Sequence, residues 1–224
     1  MKHLRWMSLL AMALVVCFAP AAGAKPPGGP VIAPVHSAGG LSGGELLGQG
    51  WALEFESAPG SFVGECIPLG NKGTVVFPLA DENLTSFCTV KPGTSVMIAP
   101  GSECSDVEEP PFFGADAAAQ RACALKFDEE FFLSAIMSVD GGKAVELLKP
   151  RFELFSPQMT VDLPPDNVFG VPAQTVTFVA HGWGAIVRGL NPGEHTITLD
   201  VATSDGLDST AVLTIDVVPR GHAH

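Results

Sequence analysis

The sequence predicts an all-β fold: a disulfide-tied part built of short strands, then an immunoglobulin-like β-sandwich, with one short helix between them. Three observations carry this expectation. Ile197, Leu199 and Val201 alternate with Thr196, Thr198 and Asp200, and Leu213, Ile215 and Val217 alternate with Thr214 and Asp216. A period of two in Thr, Val and Ile marks strands with one buried and one wet face. Four cysteines stand in the middle of the chain, Cys66, Cys88, Cys104 and Cys123. The run Ala115–Leu125 has the clearest helical propensity in the chain after the leader, with Asp116 near its front where the dipole is positive.

The chain opens with the pattern of an export leader. Met1 to Arg5 is basic, an apolar run extends from Met7 to about Phe18, and Ala22-Gly23-Ala24 supplies small residues at a cleavage point. Residues 1–24 are read as a signal peptide, because the run is too short for a membrane anchor. Cys17 raises lipid anchoring, but Val16 stands before it where a small residue is wanted. No later stretch spans a bilayer, and the strand patterns are too few for an outer-membrane barrel. The expected location is secreted or periplasmic.

Charge narrows the partners. Lys and Arg number 12 against 24 Asp and Glu, a net charge of -12, and cleavage would remove Lys2 and Arg5 as well. Such a field disfavours nucleic acid and anionic membrane. Cys17 would leave with the leader, so the four remaining cysteines suggest two disulfides, with three possible connectivities. Cys66–Cys88 and Cys104–Cys123 are favoured because each closes a short loop. The spacing is too wide for a structural zinc site.

Residues 25–50 carry PPGGP, HSAGG, LSGG and GQG, and read as a flexible linker. Trp51, Leu53 and Phe55 alternate with Ala52, Glu54 and Glu56 and read as a first strand. Residues 51–127 form the disulfide-tied part, with short strands near 73–79, 86–90 and 95–100, an acidic loop over 103–111, and the helix. Residues 128–220 form the sandwich. A strand over 131–139 turns at Asp140-Gly141-Gly142 into 143–147, another follows at 152–155, and 159–167 reads as a Pro-containing connection. Residues 174–180 alternate again. Asn191-Pro192-Gly193 reads as a hairpin turn, since Pro fixes φ and Gly tolerates positive φ. The total of about seven strands is that of a Greek-key sandwich.

The run Leu190-Asn191-Pro192-Gly193-Glu194-His195-Thr196-Ile197, with Gly182-Trp183-Gly184 and Val139-Asp140-Gly141 upstream, resembles the closing segment of a group of small exported bacterial proteins of unassigned function. The resemblance covers roughly Val139 to Val218. It implies export and a C-terminal β-sandwich, and no reaction.

Candidate chemistry is sparse. His181 with Trp183 is the combination that would line a groove with an aromatic wall. His195, behind its turn, is expected to bond a turn carbonyl while its ring packs at the core rim. The carboxylates weighed are Glu108-Glu109, Asp128-Glu129-Glu130, and Asp205 with Asp208. The last pair is the candidate for calcium, though it supplies fewer oxygens than that ion wants. No G-x-S-x-G, C-x-x-C, phosphate loop or dinucleotide fingerprint is present, so nothing favours an enzyme. The expectation is an exported, non-catalytic β-sandwich protein with a binding or envelope-structural role and no cofactor. Its partner would be a protein or glycan outside the cytoplasm, met at His181, Trp183, Asp205 and Asp208. The alternatives are an extracellular hydrolase of carbohydrate or another polymer, and a calcium-stabilised accessory domain.

Overall fold

The computed structural model describes residues 29–71 and 73–219. The expected leader over 1–24 lies outside the described residues. The chain runs β1 (Val31–Pro34), β2 (Ser37–Ala38), β3 (Leu41–Ser42), α1 (Gly43–Phe55), β4 (Cys66–Leu69), β5 (Val75–Pro78), β6 (Thr85–Val90), β7 (Ser95–Ile98) and β8 (Gly101–Ser105). It continues through α2 (Ala117–Phe131), β9 (Phe132–Val139), β10 (Val145–Glu146), β11 (Glu153–Phe155), β12 (Met159–Asp162), β13 (Thr175–Trp183), β14 (Ala185–Arg188), β15 (Gly193–Thr203) and β16 (Ser209–Val217). The fold is β-dominated, with its helices interspersed among the strands.

Two five-stranded sheets have the orders β1-β14-β7-β5-β4 and β10-β9-β15-β16-β6. They face each other across one core, in which Val76, Val96, Ile98 and Val187 of the first meet Met137, Ile197, Leu213 and Ile215 of the second. This is a sandwich-like arrangement. Parallel pairs β5–β7 and β16–β6 interrupt the antiparallel pattern. In a third sheet β13 pairs with β8 and, on its other edge, with β11 and β12. β7 and β8 are almost continuous, as are β13 and β14, and their register is shared: Ile98 faces Ala185 and Gly101 faces Gly182. One long bent ladder therefore belongs to two sheets. At the bend backbones nearly touch, since a Cβ on Gly101 would lie 2.2 Å from the His181 carbonyl oxygen. A second core lies on the other side of the first sheet, where Leu46, Leu47 and Phe55 of α1 pack against Met97, Ile186 and Phe178.

Both expected disulfides are present, Cys66–Cys88 and Cys104–Cys123. The second fastens α2 to β8. α2 starts where expected, with Asp116 Oδ1 accepting the Ala119 amide at 2.9 Å, but runs on to Phe131. β15 and β16 pair antiparallel with Thr198 opposite Val212, which puts the alternating residues Ile197 and Leu213 side by side. At the β9–β10 turn Asp140 and Gly141 take φ of 52° and 63°, the left-handed pair that a tight hairpin requires.

Five expectations need correction. The glycine-rich stretch to Gly50, expected to be a flexible linker, is structured from Val31, and 51–55 is helix rather than strand. Ser42 and Glu45 form a reciprocal capping box: Ser42 Oγ accepts the Glu45 amide at 3.2 Å, and Glu45 Oε2 accepts the Ser42 amide at 2.7 Å. Gly43 and Gly44 are a packing face, because a Cβ at either would lie 2.2 or 2.1 Å from the carbonyl oxygens of Val35 and Phe155. Residues 159–162, expected as connection, form β12. Asn191-Pro192-Gly193 is not a hairpin turn: β14 pairs with β1 and β7, while β15 pairs with β9 and β16, so the turn carries the chain between sheets. The expected boundary at 127/128 does not separate the sheets, because β6, β7 and β8 pair with β16, β14 and β13.

Candidate functional site

His181 sits on β13, a strand buried on both faces for most of its length. Its side chain points towards α2, where Gln120, Ala124 and Asp128 form a fully buried stripe at i, i+4 and i+8. Asp128 Oδ2 lies 2.7 Å from His181 Nδ1, with both side chains 0% exposed. The Ser102 amide also donates to Oδ2, at 3.2 Å. An ionised carboxylate only accepts, so Nδ1 carries the proton. Nε2 faces Glu153 Oε1 at 3.5 Å, too far for a good hydrogen bond, and has no partner. Phe155 lies 4.5 Å from the imidazole, and Trp183 meets it edge-on at 5.0 Å. Arg121 caps the outer face of Phe155 at 3.4 Å.

An Asp–His pair with a free Nε2 has the layout of a general base. No hydroxyl or thiol hydrogen-bonds to Nε2 here, and His181 and Trp183 meet inside the fold rather than on a groove wall. The arrangement pins α2 to β13. Glu153 is its unforeseen member, and Asp128, a candidate only within the acidic triplet 128–130, has an unforeseen link to His181. The clue to Asp128 was its spacing from Gln120, lost because the expected helix stopped at Leu125.

Asp205 and Asp208 lie in the β15–β16 loop and close it. Asp205 Oδ1 accepts Thr203 Oγ1 at 2.6 Å and the Leu207 amide at 3.1 Å, while Asp208 Oδ1 accepts the Thr203 amide at 3.3 Å. The Thr203 hydroxyl, then the Leu207 amide, hold the Asp205 carboxyl below its usual range. Among the described residues, no hydrogen bond or ion pair joins this loop to His181 or Trp183, and no group of three or more His, Cys, Asp or Glu is placed to hold a metal ion.

The open concavity lies elsewhere. A groove of about 610 Å³ is lined by Pro30, Ile32, Val139, Lys143, Val145 and His195, among others. Its walls are the edge strands of the two facing sheets, β1 and β10. His195 bonds the turn carbonyl as expected, Nε2 to Asn191 O at 2.8 Å, and Nδ1 reaches Asp140 Oδ2 at 2.8 Å. Asp140 Oδ1 accepts the Thr196 amide at 2.9 Å. Carbonyl and carboxylate both only accept, so the ring satisfies both by carrying two protons. Burial opposes that charge, but the Asp140 hydrogen bond, the Asn191 carbonyl and the Asp140 charge outweigh it and raise the His195 pKa.

A pH dependence follows. With the folded pKa above the unfolded one, the stabilisation is complete below about pH 6.5 and is lost as pH rises through the folded value. The urea midpoint of the wild type should fall relative to that of His195→Gln over this interval. Parallel curves from pH 5.5 to 8.5 would show that the clasp contributes nothing.

No family model matches the chain, and no curated protein matches it. A solved structure described as the solution structure of amebosin matches over 64% of this chain and 95% of that one, at 13% identity and a TM-score of 0.25. Similarity at that level carries no argument about fold or function. No helix among the described residues is long and apolar enough to cross a membrane.

Proposed function

We propose that this chain is an exported, non-catalytic β-sandwich protein of immunoglobulin-like build that holds an extended segment of another protein outside the cytoplasm. The observation that carries the reading is the groove whose walls are two sheet edges, β1 and β10, that no further strand pairs among the described residues. A free edge offers unpaired amides and carbonyls to an incoming strand, and pockets beside it select alternate side chains. Ile32, Val139 and Val145 give the groove an apolar floor, Asp140 and Lys143 a polar rim, and Val31 on β1 is 55% exposed. A protein partner is favoured over a glycan because, among the described residues, no Phe or Trp lines the groove. The sealed positions of Asp128 and His181 favour binding over hydrolysis. Export rests on the leader pattern and on the resemblance of Val139–Val218 to small exported bacterial proteins.

The test is selection of twelve-residue peptides from a random display library on the purified protein. Selected peptides should perturb amide resonances of β1 and β10, and N-methylation at alternate backbone positions should abolish binding. Peptides that bind equally well when N-methylated, or that perturb other surfaces, would sink the proposal.

A further inference from the structure

The groove between β1 and β10 is a locally positive place on a strongly acidic chain. Lys and Arg number 12 in the sequence against 24 Asp and Glu. Yet among the described residues the charged side chains that line the groove are Lys143, His195 and Asp140. The β1 wall brings Ile32, with Gly29 and Pro30 before it, and the β10 wall brings Val145, none of them titratable. Glu194 and Asp216 lie opposite each other on β15 and β16. Alternation puts them on the outer face with Thr196 and Thr214, away from His195 and Ile215.

Lys143 follows the β9–β10 turn, is exposed, and forms no ion pair among the described residues. The His195 side chain is 11% exposed, so its charge is screened less than one at the open surface. Both of its ring nitrogens are held, by Asp140 Oδ2 and by the Asn191 carbonyl. With the imidazole doubly protonated, one positive charge stands in excess along the groove. With the imidazole neutral, Asp140 cancels Lys143 and the excess is gone.

We propose that the segment held in this groove carries an Asp or Glu side chain that pairs with Lys143, and that the proton on His195 sets how tightly it is held; this rests on the strand-holding function proposed for the same groove. An apolar side chain of the segment rests on Ile32, Val139 and Val145 while the carboxylate beside it reaches the rim. When the imidazole gives up its proton, one of its two acceptors loses its donor, and the Asp140 charge stands uncompensated. That charge repels the incoming carboxylate. Burial lowers the His195 pKa, but the Asp140 hydrogen bond, the Asn191 carbonyl and the Asp140 charge together raise it above the usual value. The hold on an acidic segment therefore weakens as pH rises through that value, and by linkage the complex takes up protons as it forms. Elsewhere the field of an acidic chain repels such a segment, which directs it to this groove.

The twelve-residue library is panned on the full chain at pH 5.5. Peptides that perturb the β1 and β10 amides should share an Asp or Glu at one position beside an apolar residue. The tightest of them is made with Glu and with Gln at that position, and both are titrated by calorimetry at pH 5.5 and 8.5. Imidazole is the side chain whose ordinary titration falls in that interval. The Glu peptide should bind about fivefold more tightly than the Gln peptide at pH 5.5, and about twofold or less at pH 8.5. Its heat near neutrality should depend on the buffer, because protons are taken up. Lys143→Gln should shrink the Glu–Gln difference at both pH values, and His195→Gln should make it independent of pH. Groove-seated peptides with no shared acidic position, or a Glu–Gln difference equal at both pH values, would overturn this inference and leave the strand-holding function standing. Peptides that leave β1 and β10 unperturbed would remove both.

Discussion

Gly44→Ala is expected to destabilise the protein by about 3 kcal/mol or more, a large effect for one methyl group. The added Cβ would lie 2.1 Å from the Phe155 carbonyl oxygen, and backbone on both sides leaves nothing flexible to give way. α1 would have to lift away from β11, opening the core around Leu46, Leu47 and Phe55. Gly50, in the same helix, is the internal control. A Cβ there meets nothing within 4 Å, so Gly50→Ala should stabilise by about 0.5–1 kcal/mol through helix propensity. Urea midpoints of the two variants should move in opposite directions. A wild-type midpoint for Gly44→Ala would mean that α1 does not rest on the backbone.

His181→Ala should destabilise by about 3 kcal/mol or more, the combined effect of a cavity in place of the ring and a buried acceptor left without its donor. Asp128 would keep only the Ser102 amide and remain fully buried, with its Oδ1 already lacking a partner. The double variant Asp128→Ala/His181→Ala should lose less than the sum of the single changes, because the unpartnered carboxyl goes too. Trp183, edge-on to the ring at 5.0 Å, gives a local fluorescence readout of whether the site has collapsed or opened. Additive losses would show that the two residues do not act as a pair.

The parts of the fold legible in the sequence were those whose signal is local. Strict alternation over 196–201 and 213–217 set one buried face, and β15 and β16 pair in that register. Cysteine spacing was enough for the bridges, because short loops are the cheapest to close. What failed depended on distant partners. Gly43 and Gly44 look like linker until Val35 and Phe155 are brought against them. Trp51, Leu53 and Phe55 alternate over too few residues to separate a strand from a helix whose buried stripe also includes Leu46, Leu47 and Ala52. The candidate sites show the same division. His195 found its carbonyl four residues back in the chain, as its turn implied. Asp205 and Asp208 were visible as loop carboxylates, but not as ones already occupied by Thr203 and Leu207.

The bent ladder of β7–β8 against β13–β14 also has a consequence for the order of assembly. A ribosome completes β7 and β8 long before β14 and β13 exist, and β6 likewise waits for β16. The disulfides are less patient, for Cys66 and Cys88, and then Cys104 and Cys123, are available early. Loops can thus be closed while the sheets still lack their central strands. Non-local pairing of this kind slows folding and leaves strand edges exposed meanwhile. The newborn chain is a set of stapled fragments that becomes a protein only when its C-terminal third arrives.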